Sequence, residues 1–542
     1  MQIDRWITDL EFSERHPFYT RANAGEVLPD PASPLGATTV WTQGVMQGWR
    51  DSYFSVGTCE PDEVRADEVI GFFGGYLYIN AALSRLFGVR GPGLTVEMID
   101  LTYFGDHPDV PAYVPEPWHE SPANSERIGA WMGHVLTGDL SVLLDDQAEA
   151  DAVRADRPAL DRLEDHELIE RARAMLPLVR RLFERHLTVT AGASIGPGIL
   201  TAVAEAIGDP TLALKLITSV GDVDSALPSH AMWALSRLDP TSTEFASGFD
   251  DFLDRYGSRG PNEWDLISDV WETKPRLALD LIEVMRKQRD DGDPSLRAAA
   301  GAAEREAITE QITAALAGDP ETLGQFQAGL ASAHAYLAGR ERAKTNIIKV
   351  IHEVRMAFRE LAARHDYPVG EFHMLLDDEL DAFVNAPDDF RGRLGQRESE
   401  YRQLFALEPP FIIHGALPSV STWPTRGSAR VATSTAGSVL TGIPGCPGVV
   451  TGTARVILDA SDPLALEPGD ILVAPHTDPA WTPLFVPAAG VVVDVGAQVS
   501  HAIIVSRELG IPCVVSVTGA TQSIPDGATI TVDGNAGTVT VH

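Results

Sequence analysis

The sequence predicts a multidomain α + α/β protein, and three observations carry that expectation. Ala, Leu, Glu and Arg recur at helical spacing from about Trp41 to Leu407; residues from Gly448 onward alternate as strands; and a Ser, Thr, Ala, Gly and Pro-rich stretch lies between. The expected division is a large, mostly helical body over residues 1–414, a flexible linker over 415–439 and a compact β-rich α/β unit over 440–542. A chain of 542 residues has room for two or three such cores.

In chain order, the first segment runs from Pro17 to Leu35. Its density of Pro and Gly predicts an ordered loop or extended stretch and no helix. Apolar periodicity then predicts helices over 167–187, 200–207, 277–289, 295–316 and 340–365. The stretch from Thr422 to Ala429 and the run Ala432-Thr-Ser-Thr-Ala-Gly-Ser pack little and bend readily, which suits a tether. Strands are expected over 449–458, 471–474, 490–495, 514–517 and 529–532. Within this unit Val495-Gly-Ala-Gln-Val-Ser500-His501 leads from a strand into a helix that Ser500 can N-cap and Gly510 can close. The free N–H groups and positive dipole end at such a helix start oppose protonation of His501 and favour an anion beside it. A neutral imidazole in that setting is a nucleophile for phosphorus, although a structural or solvated His fits these residues too.

Composition excludes several classes. A net charge of −35 argues against binding nucleic acid or anionic membrane, which needs clustered Lys and Arg. Cys59, Cys446 and Cys513 have no metal-ligand spacing and form no disulfide framework, and no signal peptide or apolar run of membrane length is evident, so a cytoplasmic protein without a metal site is expected. Lysine occurs only at Lys215, Lys274, Lys287, Lys344 and Lys349, and no Gly-x-x-x-x-Gly-Lys-Ser/Thr loop exists, so this chain is not expected to bind ATP by itself.

The stretch from Val495 to Val515, the run Ala474-Pro-His-Thr477-Asp478-Pro479-Ala-Trp481-Thr-Pro483 and the closing Asp533-Gly-Asn-Ala-Gly-Thr-Val together resemble a known family. They are similar to the swivelling phosphohistidine domain of the PEP-utilising phosphotransferases, among them phosphoenolpyruvate synthases, rifampicin phosphotransferases and phenylphosphate synthases. The resemblance covers about Leu440 to His542 and departs at Ala497, where the family usually keeps a second Gly. It implies that His501 carries a phosphoryl group, with Thr477, Asp478 and Ser500 at the phosphate. The segments Val220 to Ala231, Tyr256 to Leu266 and Gly339-Arg340-Glu341-Arg342-Ala-Lys344 look like the family's central acceptor-binding domain, with Ser258 where most relatives have a His. Pro17 to Leu35 resembles the stretch that follows the ATP-binding domain in rifampicin phosphotransferases.

The resemblance implies a dikinase-type reaction in which ATP phosphorylates His501 with Mg2+ present, releasing AMP and phosphate, before transfer to an acceptor hydroxyl. ATP and Mg2+ are then expected mainly on a separate ATP-grasp partner subunit, as in two-subunit phenylphosphate synthases. The expected acceptor is an aromatic or apolar hydroxyl compound; pyruvate is disfavoured because no C-terminal barrel follows. Trp41, Phe72, Tyr76 and Tyr78 are candidates to line its pocket, with ordinary core packing as the alternative. Arg259, followed by Gly-Pro, is placed to meet transition-state charge. Glu263 or Asp265 can take the acceptor proton, or form an ion pair with Arg259. Arg340 and Lys344, four apart, share a helix face and can clamp a phosphoryl group, unless the face is merely solvated. His186, His230 and His352 are expected to be packed or solvent-facing. Two other readings stay open: half of an antibiotic or natural-product phosphotransferase, and a non-catalytic binding or regulatory scaffold, against which the intact Thr477-Asp478-Pro479 and Ser500-His501 elements argue.

Overall fold

The computed structural model describes residues 4–542 except 105–106, 108, 222, 428–432, 459–465, 478–480 and 497–499. The axis of the helical body is one 45-residue helix, Pro320–Arg364, with Pro320 in its first turn and Asp319 accepting from Thr322 N–H at its start. The helix expected from residue 340 is therefore the second half of a longer one. Gly339, which reads as a break, sits inside it because a Cβ there would come within 2.5 Å of Leu140. Beyond Gly339 the helix buries Ile347, Ile351, Val354, Phe358 and Leu361 in the main core. Its first half packs Phe326, Ala333 and Leu337 against helices Ile195–Ala206 and Pro294–Ala315.

The helix expected over 167–187 is divided into Asp165–Ala174 and Leu176–Gly192, because Pro177 takes a first-turn position of the second. The continuous stretch Asp165–Ala206 is long and apolar enough to cross a membrane by length and composition, which the sequence reading did not anticipate. Its Val179, Leu182, Phe183 and Leu200 are covered by the protein's own cores.

A four-stranded antiparallel sheet, absent from the sequence reading, closes the body. It comprises β1 (Phe18–Thr20), β2 (Ile70–Phe73), β3 (Tyr76–Asn80) and β4 (Ile412–His414) in the order β2-β3-β1-β4. Strands β1 to β3 are buried on both faces, so no polar alternation marks them. Gly74 and Gly75, both at positive φ, make the β2–β3 hairpin turn. The segment from Pro17 to Leu35, expected to lack helix, contains the short helix Ala22–Val27.

The expected linker is anchored on both sides. Thr425 bridges to Leu407, Trp423 packs on Tyr76 at 6.1 Å, and Ser434 N–H and Gly437 N–H donate to Ser523 and Val541. The C-terminal unit is an eight-stranded sheet of β5 (Val439–Thr441), β6 (Ile443–Cys446), β7 (Val449–Val456), β8 (Ile471–Ala474), β9 (Gly490–Val493), β10 (Cys513–Val515), β11 (Thr529–Asp533) and β12 (Thr538–Val541). Its order is β5-β12-β11-β7-β8-β9-β10-β6, with the central β7-β8-β9-β10 parallel. The unit shares one continuous apolar cluster with the body, where Trp233, Phe252, Trp271 and Met285 meet Leu472, Trp481, Phe485 and Ile503.

Candidate active site

His501 opens the helix His501–Leu509, which Gly510 closes in the left-handed conformation at φ 63°. Ser500 has N-cap backbone geometry, but its side chain makes no capping bond and its buried Oγ has no hydrogen-bond partner among the described residues, so the expected side-chain cap is not formed. Two hydroxyls hold the imidazole: Thr477 Oγ1 lies 3.1 Å from Nδ1 and Thr482 Oγ1 lies 3.0 Å from Nε2. Phe485 stands edge-on to the ring. His501 is 6% exposed, and burial first, then the charges of Lys344, Arg259 and Arg340, holds its pKa well below the usual 6.5. The ring is therefore neutral at physiological pH, with a lone pair available on one nitrogen. Asp478 and Ala497 lie outside the described residues.

The three cations come from the body, and each is fixed by the local fold. The turn after Tyr256 brings Arg259 inward, and Gly260 packs so closely on Val270 that a Cβ would come within 2.8 Å of its Cα. Arg259 Nε donates to Glu263 Oε2 at 2.8 Å and Nη1 to Thr345 Oγ1 at 2.8 Å, while Nη2 is buried without a hydrogen-bond partner among the described residues. Arg355, from the long helix, donates to the carbonyls of Glu263 and Asp265 and pins the turn. Lys344 Nζ lies 3.7 Å from Glu263 Oε1, and Arg340 Nη1 lies 3.5 Å from Glu341 Oε1. Arg340 and Lys344 are thus half-buried and paired with Glu341 and Glu263, not a solvated face, and among the described residues Arg340 Nε and Nη1 make no hydrogen bond. Buried guanidinium N–H groups without a hydrogen-bond partner among the described residues suit the oxygens of a phosphoryl group.

Sequence reasoning placed other residues less well. Asp265 accepts from both the N–H and the hydroxyl of Ser33, so it ties the 33–36 segment to the body. Trp41, Phe72, Tyr76 and Tyr78 are at most 1% exposed and lie in the main core. Tyr76 and Tyr78 donate to the carbonyls of Leu404, Leu407 and Pro410, and the Trp41 ring packs on Phe72 and Trp264, so these rings are core residues. His352 is buried and bonded to Glu272, as a packed His.

Three residues near the site had little signal. Thr482 was visible only as part of a Thr-Pro helix start. Glu341 lies within an Arg-Glu-Arg run that reads as solvated surface, yet it is 2% exposed, and Lys344, Arg340, Arg259 and His186 outweigh burial to keep its pKa below the usual value. His186 is 9% exposed; burial first, then Arg340, lowers its pKa to about 3, and its Nδ1 is unpartnered. Among the described residues no group of three His, Cys, Asp or Glu side chains is placed to hold a metal. Among the described residues the carboxylates of Glu263 and Glu341 face Arg259, Arg340 and Lys344, which disfavours Mg2+ at these two groups.

Two domain families match the two faces of this site. Residues 466–537 match the PEP-utilising enzyme mobile domain, which contributes Thr477, Thr482 and His501. Residues 234–341 match the rifampicin phosphotransferase fourth domain, which contributes Arg259, Glu263, Arg340 and Glu341. The chain is consistent with the PEP-utilising phosphotransferase family. It is 27% identical to the prodigiosin synthesizing transferase PigC of Serratia marcescens over 99% of this chain and 64% of that protein. It is 30% identical to a rifampicin phosphotransferase of Streptomyces sviceus over 56% of this chain and 35% of the relative. An uncharacterized phosphotransferase, YvkC of Bacillus subtilis, is 28% identical over 55% of this chain and 36% of its own length. The chain therefore spans less than two thirds of the length of these relatives.

Proposed function

We propose that the chain carries a phosphoryl group on His501 and transfers it to the hydroxyl of a small molecule bound against the helical body. The observation that supports this reading most is the nearly buried imidazole of His501 held between Thr477 and Thr482, kept neutral first by burial and then by the charges of Lys344, Arg259 and Arg340. A phosphoryl group on His501 brings negative charge to a place where guanidinium N–H groups lack partners, so the cations stabilise both the phosphohistidine and the charge that spreads over its oxygens during transfer. Thr477 and Thr482 hold the ring, and the one that faces the phosphorylated nitrogen gives up its bond to that nitrogen.

In this proposal the donor is ATP with Mg2+, bound by an ATP-grasp unit on a partner subunit, with AMP and phosphate released there. The lysine pattern, with none before Lys215 and no phosphate-binding loop, supports that assignment. The acceptor is a small-molecule hydroxyl. A natural-product acceptor is the second reading, favoured by the match of nearly the whole chain to a protein named for prodigiosin synthesis. An aromatic pocket built from Trp41, Phe72, Tyr76 and Tyr78 no longer supports the phenol reading.

A chase experiment tests the reading. The chain labelled through an ATP-grasp partner is mixed with phenols, alcohols and hydroxylated natural products, and loss of acid-labile label is followed together with gain of acid-stable phosphate ester. Discharge of the label into one class of hydroxyl compound is expected. Label that decays only to inorganic phosphate at the same rate with every compound would remove the transferase reading.

A further inference from the structure

The helix that begins at His501 ends on a second contact with the body. His501 and Glu508 are seven residues apart, nearly two full turns, so they project from the same side of the helix about 10 Å apart along its axis. At the Glu508 end the body supplies the loop 219–221. Glu508 Oε1 accepts from Val220 N–H at 3.0 Å, and Oε2 accepts from Gly221 N–H at 3.1 Å. Ser219 donates its N–H and its hydroxyl to the carbonyl of Arg507, at 3.0 and 3.3 Å. That carbonyl lies in the last turn of the helix, where carbonyls depend on partners from outside the helix.

The loop is shaped for this grip. Ser219 is 3% exposed and held at φ 51°, a left-handed conformation that side chains other than Gly seldom take, and Gly221 follows at φ 83°. Arg305 donates to the carbonyl of Thr218 and fixes the approach. Glu508 itself is 7% exposed, and a carboxylate so buried stays ionised only while such donors face it.

We propose that Glu508 is the latch of the docked state: its bonds to Val220 and Gly221 open whenever His501 leaves the body to meet a phosphoryl donor. The inference rests on the reading of His501 as a carrier that visits a donor elsewhere. While the latch is closed His501 is shielded, so the docking equilibrium sets how often any donor reaches it.

Diethyl pyrocarbonate, which acylates accessible neutral imidazoles, tests this on the full chain without any phosphoryl chemistry. The rate of modification at His501 is read by peptide mass, alongside hydrogen exchange at residues 219–221. Glu508→Ala is expected to raise the His501 rate about tenfold or more, the effect of losing a charge-assisted bond, and to deprotect the 220–221 amides. Glu508→Gln, which keeps one acceptor oxygen, is expected to fall between, and it decides the matter alone if the alanine variant does not fold. Equal His501 rates in wild type and a folded variant would overturn the latch. Faster modification in a chain that never forms phosphohistidine would keep the latch and remove the carrier reading.

Discussion

Arg259 Nε donates to Glu263 Oε2 at 2.8 Å in a turn where the two side chains are 2% and 0% exposed. The pair does two things at once. It lets a guanidinium be buried beside His501, and it aims the remaining N–H groups of that guanidinium, since a carboxylate on Nε and a hydroxyl on Nη1 leave Nη2 free. Removing one partner leaves the other charge buried and alone, so Arg259→Ala is expected to cost about 3–5 kcal/mol of stability, read from denaturant unfolding. Arg259→Lys keeps the charge and loses the planar fork. It is expected to slow phosphoryl transfer about 10²-fold in single-turnover experiments while His501 still accepts label.

Thr477 and Thr482 act on the imidazole from its two nitrogens. Each Thr→Val change removes one hydroxyl from a buried site and is worth about 1 kcal/mol of ring positioning, or a several-fold slower capture of phosphoryl by His501. Because both bonds hold one ring, the double variant is expected to lose less than the product of the two single effects. A double-mutant cycle on the labelling rate measures this, and strict multiplicativity would mean the hydroxyls act independently.

Tyr76 is expected to matter for stability alone. Its hydroxyl donates to the carbonyls of Leu404 and Leu407 at 2.8 and 3.2 Å, so Tyr76→Phe leaves buried acceptors short of a donor at a cost of about 1–3 kcal/mol. Once a substrate is in hand, its KM is expected to stay unchanged in this variant; a KM rise would return the ring to the acceptor site.

Stability is expected to fall on mild acidification. Burial holds His186 and His373 near pKa 3 and His352 near 4, against an ordinary value of 6.5. The folded values lie below the unfolded one, so the unfolded chain takes up protons first as pH drops. Their contribution to stability is complete above about pH 6.5 and is lost progressively below it, on the order of 2 kcal/mol for each such His between pH 7 and 5, partly offset by Asp9 and Asp494, which burial raises to about 6. Thermal unfolding followed from pH 8 to 5 should show a plateau and then a decline beginning near 6.5.

The C-terminal unit was legible because its signals are local. Apolar blocks of strand length, the Ser500-His501 helix start and the Gly510 cap lie within a few residues of what they specify, and β8 was expected over the same residues it occupies, Ile471–Ala474. The small sheet of the body was not legible, because Ile70–Phe73 and Tyr76–Asn80 are buried on both faces and carry no alternation. The four aromatic candidates failed for a related reason: a ring that fills a core and a ring that lines a pocket have the same sequence signature, and only the hydroxyl partners of Tyr76 and Tyr78 separate them. Spacing alone places Arg340 and Lys344 on one helix face, but that their charge reaches His501 depends on the tertiary fold, which brings together residues more than 150 positions apart. Glu341 carries no signal because burial is not written in a charge run, whereas His186, expected to be packed or solvent-facing, is packed.

The account turns on which atom carries the phosphoryl group. Site mapping by tandem mass spectrometry under neutral conditions, on the chain labelled by ATP through an ATP-grasp partner, addresses this directly, with His501→Ala as control. One acid-labile phosphoryl group per chain, on the peptide that contains His501 and absent from the variant, is the result expected. Label on another residue, or transfer to an acceptor that proceeds undiminished in His501→Ala, would contradict it.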